Sequence, residues 1–383
     1  MPKIVLDCID LPVNAHFSVS WKTRKYWIVE AEIVFDCIDL TGKPMECVAC
    51  ATYFHRLLIY YTAQEVKIMI NPRKAAIVGL GNVGASIAFA LMQKNLYSEL
   101  VLIDYNKDKA EGEAMDLSDG LPYTGSMDIH AGTYSEVGDC ALIVITAGAA
   151  QKPGETRLDL ITKNTAIMKS VIDEIKKTSF EGILLVVANP VDVLTHEAQR
   201  LSGYPESRVI GSGTVLDTAR LRDEIAHHLS VDSRNVHTMI MGEHGDSEVP
   251  IFSITNISGV PLNEFCELRG HTGDHLAAMN RLYESVRDSA YRIIEKKGAT
   301  YYGIAMAVTR IASCLVKDEH AVLPVSVALH GEYGIDGVHL SIPSIVGANG
   351  VEKVLTVKLS DEEAEKLKES GNALKEIIAK AEA

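Results

Sequence analysis

Residues 74–84 read KAAIVGLGNVG, an apolar run that leads into glycines spaced G-x-G-x-x-G at Gly79, Gly81 and Gly84. The run predicts a buried strand, and residues 85–93, ASIAFALMQ, have the spacing and composition of a helix. In such a loop the first glycine permits a tight turn and the second lets the backbone approach a pyrophosphate. The third allows the helix to pack closely on the sheet, and the helix N-terminus adds partial positive charge. This stretch therefore predicts a dinucleotide-binding strand–turn–helix unit.

An acidic residue follows the glycine loop at the distance that such a unit requires. Asp104 ends the next apolar run, residues 100–104 (LVLID), 20 positions after Gly84. A carboxylate at this place would accept hydrogen bonds from the adenosine ribose and would repel a 2′-phosphate. We therefore expect NAD rather than NADP as the cofactor. A glycine turn in some other α/β fold is the alternative interpretation.

Apolar runs alternate with helix-forming segments from residue 69 to residue 213. Strands that are almost wholly apolar and alternate with helices predict a parallel sheet covered on both faces. The later runs are residues 100–104, 140–147 and 182–188. Beyond residue 213 we predict helices at 214–229, 275–297 and 361–380 and strands at 322–330 and 337–346. The predicted fold class is α/β, with a Rossmann doubly wound domain over residues 69–213 and an α+β substrate-binding domain over residues 214–383.

Composition restricts the class of protein further. The 383 residues are 47% hydrophobic and 23% charged, an ordinary balance for a soluble protein, with a formal net charge of −14. No apolar run approaches the ~20 residues of a membrane span, and the N-terminus lacks a secretory pattern. The acidic balance argues against a nucleic-acid binder, and seven cysteines are too few for a disulfide framework. We expect a cytoplasmic protein without nucleic-acid or membrane partners.

Residues 1–68 differ in character from the rest of the chain. They contain both tryptophans and four of the seven cysteines, Cys8, Cys37, Cys47 and Cys50. Two heptapeptides, VLDCIDL at 5–11 and VFDCIDL at 34–40, nearly repeat each other. Cys47 and Cys50 have the spacing of a metal or redox pair, but no second pair of this kind accompanies them. A small zinc or thiol module, a poorly packed appendage and a misassigned start before Met69 all remain open for this extension.

Polar residues follow the predicted strands at the places where ligands bind a parallel sheet. Residues 151–157 (QKPGETR) come after the third strand, and residues 189–192 (NPVD) come after the fourth. Asp217 and Arg220 share one face of a helix, and His244 lies in the glycine-flanked segment GEHGD. Each feature alone has an ordinary explanation: a turn, a solvated ion pair or a surface histidine. Their joint occurrence behind a dinucleotide loop predicts a catalytic site.

Several of these segments together resemble the lactate/malate dehydrogenase family, in its bacterial form. They are GLGNVG (79–84), TAGAAQKPGETRLDL (146–160), ANPVDVLT (188–195), GSGTVLDTARLR (211–222) and GEHGDSEVP (242–250). The resemblance runs in order from about residue 70 to the C-terminus. It implies an NAD-dependent enzyme of glycolysis and fermentation that interconverts L-lactate and pyruvate.

The resemblance also implies a role for each residue of the catalytic site. His244 matches the general acid and base, and Asp217 matches the carboxylate that orients its imidazole. Arg157 matches the group that polarises the substrate carbonyl when its loop closes. Arg220 matches the residue that binds the substrate carboxylate with two parallel hydrogen bonds. Asn189 matches the amide that orients the substrate and the nicotinamide ribose.

Gln151 and Thr300 bear on the choice of substrate. Malate enzymes of this family place an arginine at the position that Gln151 matches. A neutral glutamine would leave the second carboxylate of oxaloacetate uncompensated, so Gln151 favours pyruvate. Thr300 matches a threonine that narrows the pocket in lactate enzymes. Malate or another 2-hydroxy acid is the alternative substrate. A third hypothesis is a binding protein that has the same fold but whose function resides in residues 1–68. The presence of Asp217, Arg220 and His244 argues against this hypothesis.

The resemblance finally assigns cofactor contacts and an activator site, and it implies no metal. The cofactor contacts are Gly79, Gly81, Val83, Gly84, Asp104, Lys109, Tyr134, Gly148, Ala149, Ser170, Val187, Asn189 and Ser212. Arg222 and His237 match positions that bind fructose 1,6-bisphosphate at a subunit interface in bacterial members. Such cations from two subunits around a two-fold axis would suit a doubly charged ligand. The resemblance therefore implies an allosteric homotetramer activated by this sugar bisphosphate, against the alternative of an ordinary surface arginine and histidine.

Overall fold

A computed structural model describes residues 70–149, 157–271 and 273–382. The described residues belong to one compact unit, Ile68–Ala383. The predictions for residues 1–68, including the cysteine site, lie outside the described residues, as does Gln151.

The centre of the described unit is a nine-stranded mixed sheet. Its parallel strands are β1 (Asn71–Val78), β2 (Glu99–Ile103), β3 (Asp128–Ala131), β4 (Cys140–Ile145), β5 (Ile183–Val186) and β6 (Val209–Gly211). They lie side by side in the order β3-β2-β1-β4-β5-β6. This is the strand order of a doubly wound dinucleotide-binding domain, so the predicted fold class is confirmed.

Helices follow these strands and cover both faces of the sheet. They are α1 (Asn82–Lys94), α2 (Lys107–Gly120), α3 (Arg157–Ile175) and α4 (Val191–Ser202). Alternate residues of a strand point to opposite faces. Accordingly Ala75 and Ile77 belong to one buried core, whereas Ala76 and Val78 belong to the other. The near-continuous apolar strands of the sequence are therefore explained by burial on both sides.

The strands of the predicted α+β domain extend the same sheet. Strands β12 (Ala321–His330), β13 (Asp336–Gly347) and β14 (Gly350–Val354) continue it in antiparallel fashion. The junction is the pairing of Ser326 on β12 with Gly211 on β6. Gly211 permits this pairing because a Cβ at that position would lie 2.4 Å from Thr195 Oγ1 and 2.7 Å from Ser326 Cβ. The two parts of the unit therefore share one continuous sheet.

Five further helices and five short strands complete the described part of the unit. The helices are α5 (Val215–Leu229), α6 (Leu262–Leu268), α7 (His275–Lys297), α8 (Tyr302–Lys317) and α9 (Asp361–Glu382). The short strands are β7 (Val236–His237), β8 (Ile240–Met241), β9 (Val249–Pro250), β10 (Asn256–Ile257) and β11 (Val260–Pro261). Apolar residues of α5 and α7 share a third core, which holds these two helices against each other. None of the helices in the described ranges has the length and apolar character needed to cross a membrane.

Candidate active site

Three of the predicted site residues meet at the start of α5. Asp217 lies in the first turn of this helix and is 3% exposed. Its Oδ2 is 2.6 Å from Nδ1 of His244, which lies in the loop between β8 and β9. Its Oδ1 accepts a hydrogen bond of 2.9 Å from Nη1 of Arg220, one helical turn further along. One buried carboxylate therefore holds an imidazole and a guanidinium together.

The charges of this trio are mutually dependent. Burial by itself lowers the pKa of His244, but the adjacent Asp217 carboxylate outweighs that effect and raises it to about 9. Burial likewise disfavours the Asp217 anion, yet His244 and Arg220 hold its pKa below the usual range. At neutral pH the pair is therefore an imidazolium beside a carboxylate. Nε2 of His244 has no hydrogen-bond partner among the described residues, so it is the nitrogen that can exchange a proton with a substrate.

Asp192 also holds His244 in place, through the backbone of that histidine. The sequence alone did not assign a role to Asp192. Its side chain is 1% exposed in the first turn of α4. Oδ2 accepts the backbone N–H of His244 at 2.8 Å, and Oδ1 accepts the hydroxyl of Ser326 at 2.6 Å. Burial raises the pKa of Asp192 to about 6 against the effect of these hydrogen bonds. The only sequence signal was its place in the segment NPVD.

The glycine loop has the shape of a phosphate cradle. Gly79 has φ +96°, and a Cβ on Gly84 would lie 1.9 Å from the carbonyl oxygen of Gly79, so close packing requires both glycines. Gly81 differs, because a Cβ there would meet no atom within 4 Å. It is the N-cap of α1 and has no side-chain cap. The first backbone N–H groups of that helix therefore face an open space that suits a pyrophosphate.

Hydrogen bonds from the backbone hold the carboxylate of Asp104 beside the glycine loop. Its Oδ2 accepts the N–H of Leu80 at 2.6 Å, and its Oδ1 accepts the N–H of Asn106 at 2.9 Å. Each carboxylate oxygen has a second lone pair, so the group can still accept hydrogen bonds from ribose hydroxyls. The loop and the carboxylate together fit a dinucleotide with an unphosphorylated ribose.

A buried amide that the sequence did not single out joins two loops at the carboxyl edge of the sheet. Asn164 of α3 is 2% exposed. Its Oδ1 accepts the N–H of Ala149 at 2.7 Å, and its Nδ2 donates to the carbonyl of Asn189 at 2.8 Å. The peptide bond between Asn189 and Pro190 is cis. Asn164 therefore fixes the distance between the loop after β4 and the loop after β5.

The other predicted residues are placed as follows. The positions that lie in or directly beside this carboxyl edge are Val83, Gly148, Val187 and Ser212. Tyr134 is half-buried against the sheet, and burial raises its pKa to about 12. Lys109 and Ser170 are exposed on α2 and α3, and Thr300 is half-buried just before α8. Arg157 is the first residue of α3, and the structure describes its backbone but not its side chain.

The two predicted activator residues line one cavity of about 710 Å³. Arg222 donates a hydrogen bond of 3.3 Å to the carbonyl of Ser233, whereas its buried Nε has no partner among the residues that the structure describes. His237 is exposed on β7. The cavity also contains Arg310, which forms an ion pair with Glu319. The structure thus brings together two residues that the sequence separates by 15 positions.

Comparison with known proteins extends these observations. Residues 73–211 match the NAD binding domain of lactate/malate dehydrogenase, and residues 214–383 match the alpha/beta C-terminal domain. An L-lactate dehydrogenase of Acetivibrio thermocellus is 50% identical over 306 residues, which are 80% of this chain and 96% of that protein. L-lactate dehydrogenase 1 of Clostridium acetobutylicum is 51% identical over 305 residues, 80% of this chain and 97% of that protein.

Solved structures give the same result. A lactate dehydrogenase from a Medee basin deep-sea metagenome library has a TM-score of 0.80 and 44% identity over 82% of this chain and 100% of that chain. The ligand-bound minor L-lactate dehydrogenase from Enterococcus mundtii has a TM-score of 0.78 and 45% identity, over 80% and 98% of the two chains. The fold, the cradle and these matches define an NAD-dependent oxidoreductase, and the predicted cofactor is confirmed. The chain belongs to the lactate/malate dehydrogenase family.

Proposed function

We propose that this protein is an L-lactate dehydrogenase that interconverts L-lactate and pyruvate with NAD and NADH. The observation that carries the proposal is the contact of 2.6 Å between His244 and Asp217, with Arg220 on the other oxygen of the same carboxylate. The relatives that match about 80% of the chain at about 50% identity are named L-lactate dehydrogenases, which supports the same substrate.

The catalytic cycle depends on proton transfer at His244. Bound NAD supplies the hydride acceptor at its nicotinamide, and NADH supplies the hydride in the reverse direction. In pyruvate reduction the His244 imidazolium donates its proton to the substrate oxygen. In lactate oxidation the neutral imidazole removes the proton from the hydroxyl. Asp217 holds the ring through Nδ1 and stabilises the cation, so Nε2 performs the exchange.

Substrate binding follows from the cations around this pair. Arg220 bonds Asp217 through Nη1, so its remaining donors can bind the substrate carboxylate. We assign Arg157 to polarisation of the substrate carbonyl and Asn189 to orientation of the substrate. Gln151 and Thr300 would complete a pocket for a methyl group, whereas oxaloacetate would bring a second, unpaired carboxylate.

We further propose that the protein is a cytoplasmic homotetramer activated by fructose 1,6-bisphosphate. The shared cavity of Arg222 and His237 supports the activator site, since a bisphosphate requires converging cations. In this scheme residues 69–213 form the NAD-binding domain and residues 214–383 form the catalytic domain. The remaining cofactor contacts named from the sequence keep their proposed roles.

The substrate proposal is tested by NADH oxidation with pyruvate and with oxaloacetate. We expect kcat/KM for pyruvate to exceed that for oxaloacetate by at least about 100-fold. This is the ratio expected if leaving the second carboxylate of oxaloacetate unpaired in the site costs ~3 kcal/mol. His244→Asn should abolish turnover. The matched control His330→Asn changes an exposed histidine that pairs with Glu206, and it should leave turnover unchanged. A preference for oxaloacetate would refute the substrate assignment.

The activator proposal is tested in the same assay. Fructose 1,6-bisphosphate should lower the KM for pyruvate, and Arg222→Gln should remove this effect. Molecular mass in solution, with and without the activator, tests the tetramer. A KM that the activator leaves unchanged at both acidic and neutral pH would rule the site out.

A further inference from the structure

A buried carboxyl group beside the catalytic pair has no part in the mechanism described so far. Glu248 is 8% exposed and lies four residues after His244 in the same loop. Its backbone carbonyl accepts the hydroxyl of Tyr283 at 2.7 Å, which fixes the residue against α7. Its carboxyl group accepts no hydrogen bond from any of the described residues. An ionised carboxylate in such a place would be costly, because burial removes its hydration without supplying a donor.

The Glu248 carboxyl group faces the acid–base pair directly. One oxygen of Glu248, one oxygen of Asp217 and one ring nitrogen of His244 all lie within 4.8 Å of one another. Asp217 already uses one oxygen for His244 and the other for Arg220. Glu248 is therefore a second carboxyl group at the same imidazole, and both cations of the site are bonded to the first one.

The charged and titratable groups around this pair come from four elements. They are Asp192 of α4, Asp217 and Arg220 of α5, His244 and Asp246 of the loop, and Tyr283 of α7. Burial, followed by the Asp217 anion, raises the pKa of Glu248 to about 9. In the other direction, Glu248 is one of the carboxyl groups that raise the pKa of His244. The two groups therefore respond to each other in the same alkaline range.

We propose that Glu248 is a positioning residue that sets how firmly His244 holds its proton in the reaction assigned above. At neutral pH Glu248 is an uncharged acid, so it adds no negative charge against the carboxylate of an incoming substrate. As the solution becomes alkaline it ionises and stabilises the imidazolium, which extends the pH range over which His244 can donate a proton. The inference rests on the proposed function for its catalytic consequence, whereas the coupling itself is a property of the free protein.

The test is Glu248→Gln, which keeps the shape of the uncharged acid but cannot ionise. In an NMR titration of the histidine rings in the free protein, the midpoint of His244 should fall by about one pH unit, the low end for a charge within ~4–6 Å. The alkaline fall of kcat/KM for pyruvate should move by the same amount, while kcat/KM at pH 7 stays within about twofold of wild type. The matched control is Glu243→Gln. Glu243 is 3% exposed in the same loop, but its carboxylate accepts the hydroxyl of Ser247 at 2.6 Å. The titration midpoint of His244 should therefore not move in this control variant.

An unchanged His244 midpoint in Glu248→Gln overturns the proposal, as does a large loss of turnover at pH 7 with an unchanged pH profile. Should the variant fail to fold, infrared spectroscopy of the wild type decides, since a protonated carboxyl group must be present at pH 7.5 and disappear above pH about 9. Its absence at pH 7.5 refutes the proposal. A shifted midpoint in a protein that turns over no 2-keto acid would refute the proposed function and leave the coupling established.

Discussion

Replacement of the buried His339 should reduce the loss in the free energy of unfolding that this protein undergoes at acidic pH. His339 lies on β13 and is 2% exposed, and neither of its ring nitrogens has a hydrogen-bond partner within the described part of the chain. Its ring packs edge-on against His196 of α4, with centroids 5.5 Å apart. Burial, and to a smaller extent positive charge on His196 and His330, lowers the pKa of His339 to about 3. The folded protein therefore keeps this ring neutral throughout the physiological range.

The size of the effect follows from proton linkage. In the unfolded chain a histidine takes up a proton below pH about 6.5, whereas folded His339 does not do so until about pH 3. The favourable contribution of the neutral ring is therefore complete above pH 6.5 and is lost as the pH falls toward 3. At pH 5 the shift amounts to 1.5 units at ~1.36 kcal/mol each, or about 2 kcal/mol of stability.

Urea unfolding at pH 7.5 and at pH 5.0 measures this contribution. His339→Phe retains a ring of similar shape, so the acid-induced loss in its free energy of unfolding should be about 2 kcal/mol smaller than in the wild type. His330→Phe is the control, because this exposed histidine has its pKa raised by Glu206 and should not contribute to acid lability. An equal acid-induced loss in wild type and His339→Phe would refute the reasoning.

Further predictions concern the site. Because the pKa of His244 is raised to about 9, kcat/KM for pyruvate should be level below that pH and fall about tenfold per unit above it, and Asp217→Asn should move the fall to lower pH. Calorimetry should show Gly84→Ala less stable by about 1–3 kcal/mol, since its Cβ would lie 1.9 Å from a carbonyl oxygen. Gly81→Ala, with open space around its Cβ, should keep its melting temperature but bind NADH at least about tenfold more weakly in a fluorescence titration. Asp192→Ala should lower kcat more than Asp192→Asn does, because only the amide retains an acceptor for the His244 N–H; equal kcat values would contradict this.

Local features were predictable because each depends on neighbouring residues. The turn at Gly79, the helix after Gly81 and the carboxylate at Asp104 follow from spacing alone, and the cofactor prediction follows from them. Asp217 and Arg220 were predicted to share a helix face, and their hydrogen bond of 2.9 Å agrees with that periodicity.

Other features could not be predicted from the local pattern. The sequence of β12 indicates a strand, but no local signal tells whether it begins a new sheet or pairs with β6. That outcome depends on Ser326 meeting Gly211 across more than 100 residues of chain. The role of Asn164 was not predicted for a similar reason. The sequence around a single asparagine in a helix does not indicate that its side chain bonds two distant loops.

The amino-acid sequence by itself determined the parallel sheet, the dinucleotide loop and the residue types of the candidate site. It could do so because strand burial, turn geometry and helix periodicity are encoded over short distances. Tertiary structure alone decided which of those residues touch and what charge each of them carries. Asp217 and His244 are 27 residues apart in the chain and 2.6 Å apart in the fold. Asp192, 52 residues before His244, gained its influence on His244 in the same way. Proton affinity depends on burial and on neighbouring charge, and both arise only when distant segments pack together.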